Sequence, residues 1–155
     1  MRVLICIISA TVVLLSGCRR DSSNRNPVPL SFYIVSDHKI EGGRFIDTPD
    51  FPKLGYIAGT PDLVVKRLES VALDVTPPFS ETRPAVSIAM CPADAPSFAA
   101  LTERAIDKKL LLMQGDTPLM APRVKARIPT ASLMLTFGQG TDPKKAADDL
   151  KKLVQ

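Results

Sequence analysis

Tryptophan is absent from this 155-residue chain, and histidine occurs once, at His38. A Ser-His-Asp triad therefore has one imidazole to draw on, and no Gly-x-Ser-x-Gly elbow accompanies it. Neither charge dominates: 20 Lys and Arg stand against 16 Asp and Glu. That balance lacks the basic excess of a nucleic-acid binder. Long apolar runs are missing but for one, from Val3 to Leu15. A multi-span membrane protein is thereby excluded, since each span needs about 20 such residues. No phosphate-cradling loop is present, because Gly42-Gly43 lacks a following Lys-Ser or Lys-Thr. Proline, by contrast, is plentiful at 14 residues. That is about twice the usual share and argues against a coiled coil or an all-helical bundle. A hydrophobic content of 45% excludes a wholly disordered chain.

The apolar run follows Met1-Arg2 and is too short for a transmembrane helix, so residues 1–17 have the layout of a secretion signal. It ends in Leu15-Ser16-Gly17-Cys18, which resembles the lipobox of bacterial lipoproteins. The resemblance implies that the Cys18 thiol receives diacylglycerol, with acyl chains such as palmitate, and becomes the new N-terminus after cleavage. Arg19 rather than Asp follows it, which by the same resemblance favours the outer membrane over the inner. The expected location is a lipid anchor in the cell envelope, on the periplasmic side. Processing removes Arg2 and Cys6 and leaves Cys91 as the one free thiol. No intrachain disulfide is then available, and one His with one Cys makes no usual zinc set. Neither metal nor cofactor is expected.

Residues 18–29 are polar and turn-forming and read as a flexible tether. A single domain is expected over 30–155. Leu30 to Ser36 is β-branched and aromatic and reads as a strand. From Asp37 to Tyr56 the glycines and prolines predict mostly loop, with a short hairpin through Arg44-Phe45-Ile46. Thr60-Pro61-Asp62 has the chemistry of a helix start, and Val64, Leu68 and Val71 predict a helix over 61–71. Val71 to Val75 leads into a strand. Further strands are expected at 84–90, 110–113, 123–128 and 132–137, with helices at 93–109 and 142–154. The apolar stripe of the first of these helices is Phe98, Leu101, Ala105 and Ile106. The class is α+β: a mainly antiparallel sheet with two or three helices packed on one face.

From Pro84 to Val154 the order of motifs is similar to the head subdomain of the first large periplasmic domain of SecD, in the SecDF family. The pieces are Pro84-Ala85-Val86-Ser87-Ile88, then Phe98-Ala99-Ala100-Leu101-Thr102, then Lys109 to Met113. Gly115 to Pro122, Leu133 to Phe137, and Pro143 to Leu153 complete it. The resemblance implies the head's fold and a capacity for protein contact. The family's transmembrane helices do not follow in this sequence, so no proton-driven motor is expected of it.

Several residues invite a chemical reading. His38 beside Asp37 is more cheaply a loop residue than a catalyst. Asp47 and Asp50 pair as glycosidase carboxylates would, but Asp beside Pro usually serves a turn. Cys91 reads as a small core residue. Phe45, Phe51 and Tyr56 concentrate aromatics in one segment and are candidates for partner contact. Arg123, Lys125 and Arg127 share a face if 123–128 is a strand, and they suit an acidic partner or simple edge protection. The favoured reading is a non-catalytic, membrane-tethered lipoprotein whose monomeric domain touches an envelope or secreted protein. The alternative is a small envelope enzyme acting on cell-wall or peptide substrates.

Overall fold

The structure is a computed structural model and describes residues 27–74, 85–137 and 142–154. Residues 1–17, the lipobox Cys18 and nearly all of the tether lie outside the described residues, as do Val75, Pro84 and Thr141.

Strand β1, Leu30–Val35, sits at the centre. Its alternating side chains enter two cores: Leu30 and Phe32 on one face, Tyr33 and Val35 on the other. The apolar run at 110–113 becomes β7, Lys109–Gln114, antiparallel to β1 from Leu30↔Gln114 to Val35↔Lys109. It too is buried on both faces, which explains why four apolar residues follow one another without alternation. Strands β4, Leu63–Val65, and β8, Thr117–Met120, complete a four-stranded sheet in the order β4-β1-β7-β8. Gly115, at φ +60, makes the tight β7–β8 turn.

The sequence predicted a helix over 61–71, and the structure has none. Leu63–Val65 pairs with Phe32 to Leu30 instead, and β5, Leu68–Asp74, pairs with β6, Ala85–Met90. Asp62, expected near a helix start, accepts the Ile34 amide at 2.9 Å and so serves the strand. The β-branched Val64-Val65 favours that outcome. Lys66 and Arg67 turn the chain from one sheet to the other. Strand β9, Ser132–Thr136, completes the second sheet in the order β5-β6-β9. β8 comes within 8 Å of β9, Cα to Cα, without joining its ladder.

Residues 37–56 are less loop than the glycines and prolines suggest. They hold β2, Arg44–Thr48, and the start of β3, Phe51–Ile57, a full hairpin. Ile46, Leu54 and Ile57 cover the second face of β1 and β7.

Helix α1 runs Ala95–Arg104, after a 3-10 turn at Pro92–Asp94. It stops five residues short of the expected Lys109. Asp107 takes a left-handed φ of 62, and Lys109 already belongs to β7. Phe98, Leu101 and Ala105 face the core as expected; Ile106, past the helix end, is 41% exposed. Helix α2 is Pro143–Lys151. Ala146, Ala147 and Leu150 point inward, and the Leu68 amide donates to the Leu153 carbonyl at 2.9 Å. The α+β class holds, with antiparallel ladders and two helices among the described residues. The strands divide among three sheets rather than one.

Asp142 caps α2: its Oδ1 accepts the Lys144 amide at 2.9 Å, with Pro143 at the first helical position. Asp142→Ala is expected to cost about 1 kcal/mol in a urea titration of the full chain, while Asp142→Asn keeps most of it.

Candidate functional site

The aromatic segment folds into a partly exposed surface. Cross-strand pairing sets Phe45 opposite Tyr56, and their rings meet at 4.9 Å with a 55° tilt. Phe45 remains 46% exposed. Phe51 does not join them; it packs inward against the core under the hairpin. Beside the pair, Arg44 reaches Asp116 of the β7–β8 turn at 3.4 Å. Tyr56 also exchanges two 2.8 Å backbone hydrogen bonds with Ser36, which docks the hairpin on the end of β1. The sequence therefore supplied the right aromatic cluster but not its division into two surface rings and one packed ring.

The basic stripe does not lie on a strand. A single bridge, Lys109↔Arg123, is the extent of ladder pairing in 123–128. The alternation has another cause. Val124 plugs the core, and the Ile128 amide donates to Thr102 Oγ1 at 3.0 Å. The bases turn toward the end of α1. Arg123 donates to the Asp107 carbonyl, Lys125 lies 3.2 Å from the Asp107 carboxylate, and Arg127 lies 3.8 Å from Glu103. Cations near a helix C-terminus also meet its dipole favourably. These pairs are exposed, so each contributes about 0–1 kcal/mol. Their charge is already met within the chain, which weakens the stripe as a landing site for an acidic partner.

His38 is exposed, and Ser36 Oγ accepts its amide and donates back to its carbonyl. The two residues line an open groove of about 440 Å³ with Ile34, Ile40, Asp62 and Lys108. Sequence reasoning missed the groove because Asp62 and Lys108 reach it from distant parts of the chain. Asp62 is engaged there, by the Ile34 amide and by Arg104 at 3.6 Å. Asp47 serves the hairpin turn, accepting the Lys53 amide at 3.0 Å; Asp50 is exposed in the same turn. Cys91 is half-buried, 3.7 Å from the Arg67 carbonyl. Among the described residues no three His, Cys, Asp or Glu side chains gather as metal ligands, and no helix is long and apolar enough to cross a membrane.

No protein-family model matches the sequence, and no curated protein matches it. The fold does match solved structures. One is of SecDF, described as a membrane component that enhances protein export. It shares 19% identity at a TM-score of 0.58, over 83% of this chain and 62% of that one. Another is SecDF in a super-membrane-facing form, with 20% identity and a TM-score of 0.60 over 83% of this chain and 19% of that one. The chain thus spans under two thirds of either neighbour. The domain is SecD-like in fold, as the motif order from Pro84 to Val154 implied, and the likeness reaches well beyond those residues.

Proposed function

We propose that this chain is a lipid-anchored envelope protein that presents a SecD-head-like domain, without catalysis of its own, for contact with other proteins. The observation that carries this reading is the SecDF likeness over 83% of the chain, in a neighbour described as enhancing protein export. The Phe45–Tyr56 pair supplies a contact surface of suitable chemistry, because exposed aromatic rings are over-represented where proteins meet. The lipobox at Leu15 to Cys18 supplies the anchor, on the periplasmic side and with the outer membrane favoured over the inner.

Two experiments address the two halves of the proposal. Cys18→Ala is expected to leave an unprocessed precursor that takes up no labelled fatty acid. Continued cleavage and lipid labelling in that variant would contradict the anchor. For the contact surface, a photo-crosslinking residue at position 45 is compared in cells with one at position 152, which lies on α2's flank. The expected result is a reproducible adduct with an envelope or exported protein from position 45 alone, lost when Tyr56 is changed to Ser. Equal labelling from both positions, or from neither, would remove the hairpin from the proposal.

A further inference from the structure

The chain enters its domain beside a patch that mixes exposed valines with unpaired cations. Leu30, the first residue of β1, lies opposite Val65, the last of β4. Lys66 and Arg67 therefore leave the sheet at the end where Val28 and Pro29 enter it. Leu68 then bridges Val154, and its amide donates to the Leu153 carbonyl at 2.9 Å, which brings the end of α2 to the same place. The β7–β8 turn closes the other side. Gln114 pairs with Leu30, and a Cβ on Gly115 would lie 3.1 Å from Val28 Cγ1.

Lys66 and Arg67 are both exposed, and neither enters an ion pair among the described residues. Their neighbours are engaged: Lys151 by Asp148, Lys152 by Asp149 and Arg44 by Asp116. Glu69, two residues after Arg67, offsets part of the charge. Residues 19–26 add to it, with Arg19, Arg20 and Arg25 against Asp21. Six large apolar side chains are exposed among the described residues, and three of them are here: Val28 at 48%, Val64 and Val154 at 37% each. Singly such residues are ordinary. Gathered around two free cations they have the chemistry of a surface that settles on anionic lipid, with apolar side chains for the headgroup boundary and positive charge for the phosphates.

Chain length decides what this end meets. Pro27 is nine residues after Cys18, a reach of at most about 32 Å when fully extended. A domain of this size is about 35 Å across. An anchor at Cys18 therefore holds the domain within its own diameter of the lipid, with the entry end nearest. We propose that Lys66, Arg67, Val28, Val64 and Val154 form a docking face for the anionic phospholipid bilayer that holds Cys18. This rests on the lipid anchor proposed above. Tyr56 bonds Ser36 at the opposite end of β1, so the docked domain keeps its aromatic pair free for a protein.

The test uses the processed chain, purified with its acyl chains, after mass spectrometry has established the state of Cys18. It is reconstituted in vesicles of phosphatidylcholine alone or mixed with phosphatidylglycerol. With Cys91 changed to Ser, a fluorophore is attached at Val154→Cys or at His38→Cys, and a spin label on the lipid headgroups quenches whichever lies against the bilayer. In the mixed vesicles the fluorophore at 154 is expected to be quenched several-fold more than that at 38. The difference is expected to shrink in neutral vesicles, and at about 1 M salt, where the Debye length falls to about 3 Å. Lys66→Gln with Arg67→Gln is expected to lower the ratio of docked to undocked domain roughly 30-fold, about fivefold for each base. Lys39→Gln with Lys108→Gln, an equal loss of charge at the Val35–Lys109 end of the sheet, is expected to change it little. Equal quenching of the two fluorophores in acylated protein would overturn the docking face. So would a preference for 154 that survives in the Lys66, Arg67 variant, or one that falls as far in the Lys39, Lys108 variant. An unmodified Cys18 would instead remove the anchor, and the orientation with it.

Discussion

Phe98→Ala is expected to lower the stability of the folded chain by about 3–5 kcal/mol, a large fraction of the roughly 5–15 kcal/mol that holds a domain folded. Phe98 is fully buried on α1, and its ring meets that of Phe32 on β1 at 5.4 Å and 59°. Truncation removes the apolar contact area, leaves a cavity between helix and central strand, and takes away an aromatic pair worth about 0.5–1.5 kcal/mol. Packing around Phe32 cannot easily close the gap, because β1 is held by β4 and β7 on its two edges. Chemical denaturation of the full chain measures the effect, with Phe98→Leu expected to lose much less. A shift under about 0.5 kcal/mol, ordinary for a surface site, would mean that α1 presents another face to the core.

Gly55→Ala is expected to be nearly as damaging, by a different route. Gly55 has φ +134, a conformation that an L side chain rarely adopts. A Cβ there would lie 2.7 Å from the Ser36 carbonyl oxygen and 2.7 Å from Val35 Cγ1. The first neighbour is backbone, so the hairpin itself has to move off β1. Backbone strain of this kind costs about 1–3 kcal/mol before the displacement is counted. The readout that separates this from general destabilisation is amide exchange at Ser36 and Tyr56, whose mutual hydrogen bonds are expected to open first. Gly42→Ala is the control. It also has a positive φ, +66, but nothing lies within 4 Å of its Cβ position, so the expected cost is about 1 kcal/mol. Equal effects at positions 42 and 55 would show that the close approach to β1 is unimportant.

Much of the fold was legible because local pattern and tertiary outcome agree. The β-branched stretch at Leu30, the Phe98, Leu101 and Ala105 stripe and the apolar run after Lys109 each have one reading in sequence and structure alike. Residues 61–71 were not legible. Val64, Leu68 and Val71 satisfy helical spacing, and Thr60-Pro61-Asp62 offers a cap. What decides against a helix is β1, whose edge takes Leu63–Val65 as a partner. That information lies about thirty residues away. At 123–128 the alternation was real, but ion pairs to Asp107 and Glu103 satisfy it, not a ladder. Of the proposed contact residues, Phe45 and Tyr56 come together, Phe51 turns inward, and the bases find partners within the chain. The groove at His38 was invisible because its lining converges only in three dimensions.

The placement of β1 has a consequence for how the chain acquires its structure. Among the described residues β1 is the first strand to be synthesised, yet the strand that covers most of it, β7, is more than seventy residues downstream. Contacts of such long sequence separation slow folding, because the intervening loop must close before they form. Until Lys109–Gln114 arrives, β1 has β4 available for one edge but keeps the other unpaired, and its apolar faces wait for cover. The hairpin β2–β3 follows at once in the sequence, and it can cover one of those faces early. It thereby acts as a temporary sheath as well as a permanent layer. Variants that loosen the hairpin, Gly55→Ala among them, are therefore expected to slow refolding and raise aggregation during synthesis beyond what their equilibrium loss implies.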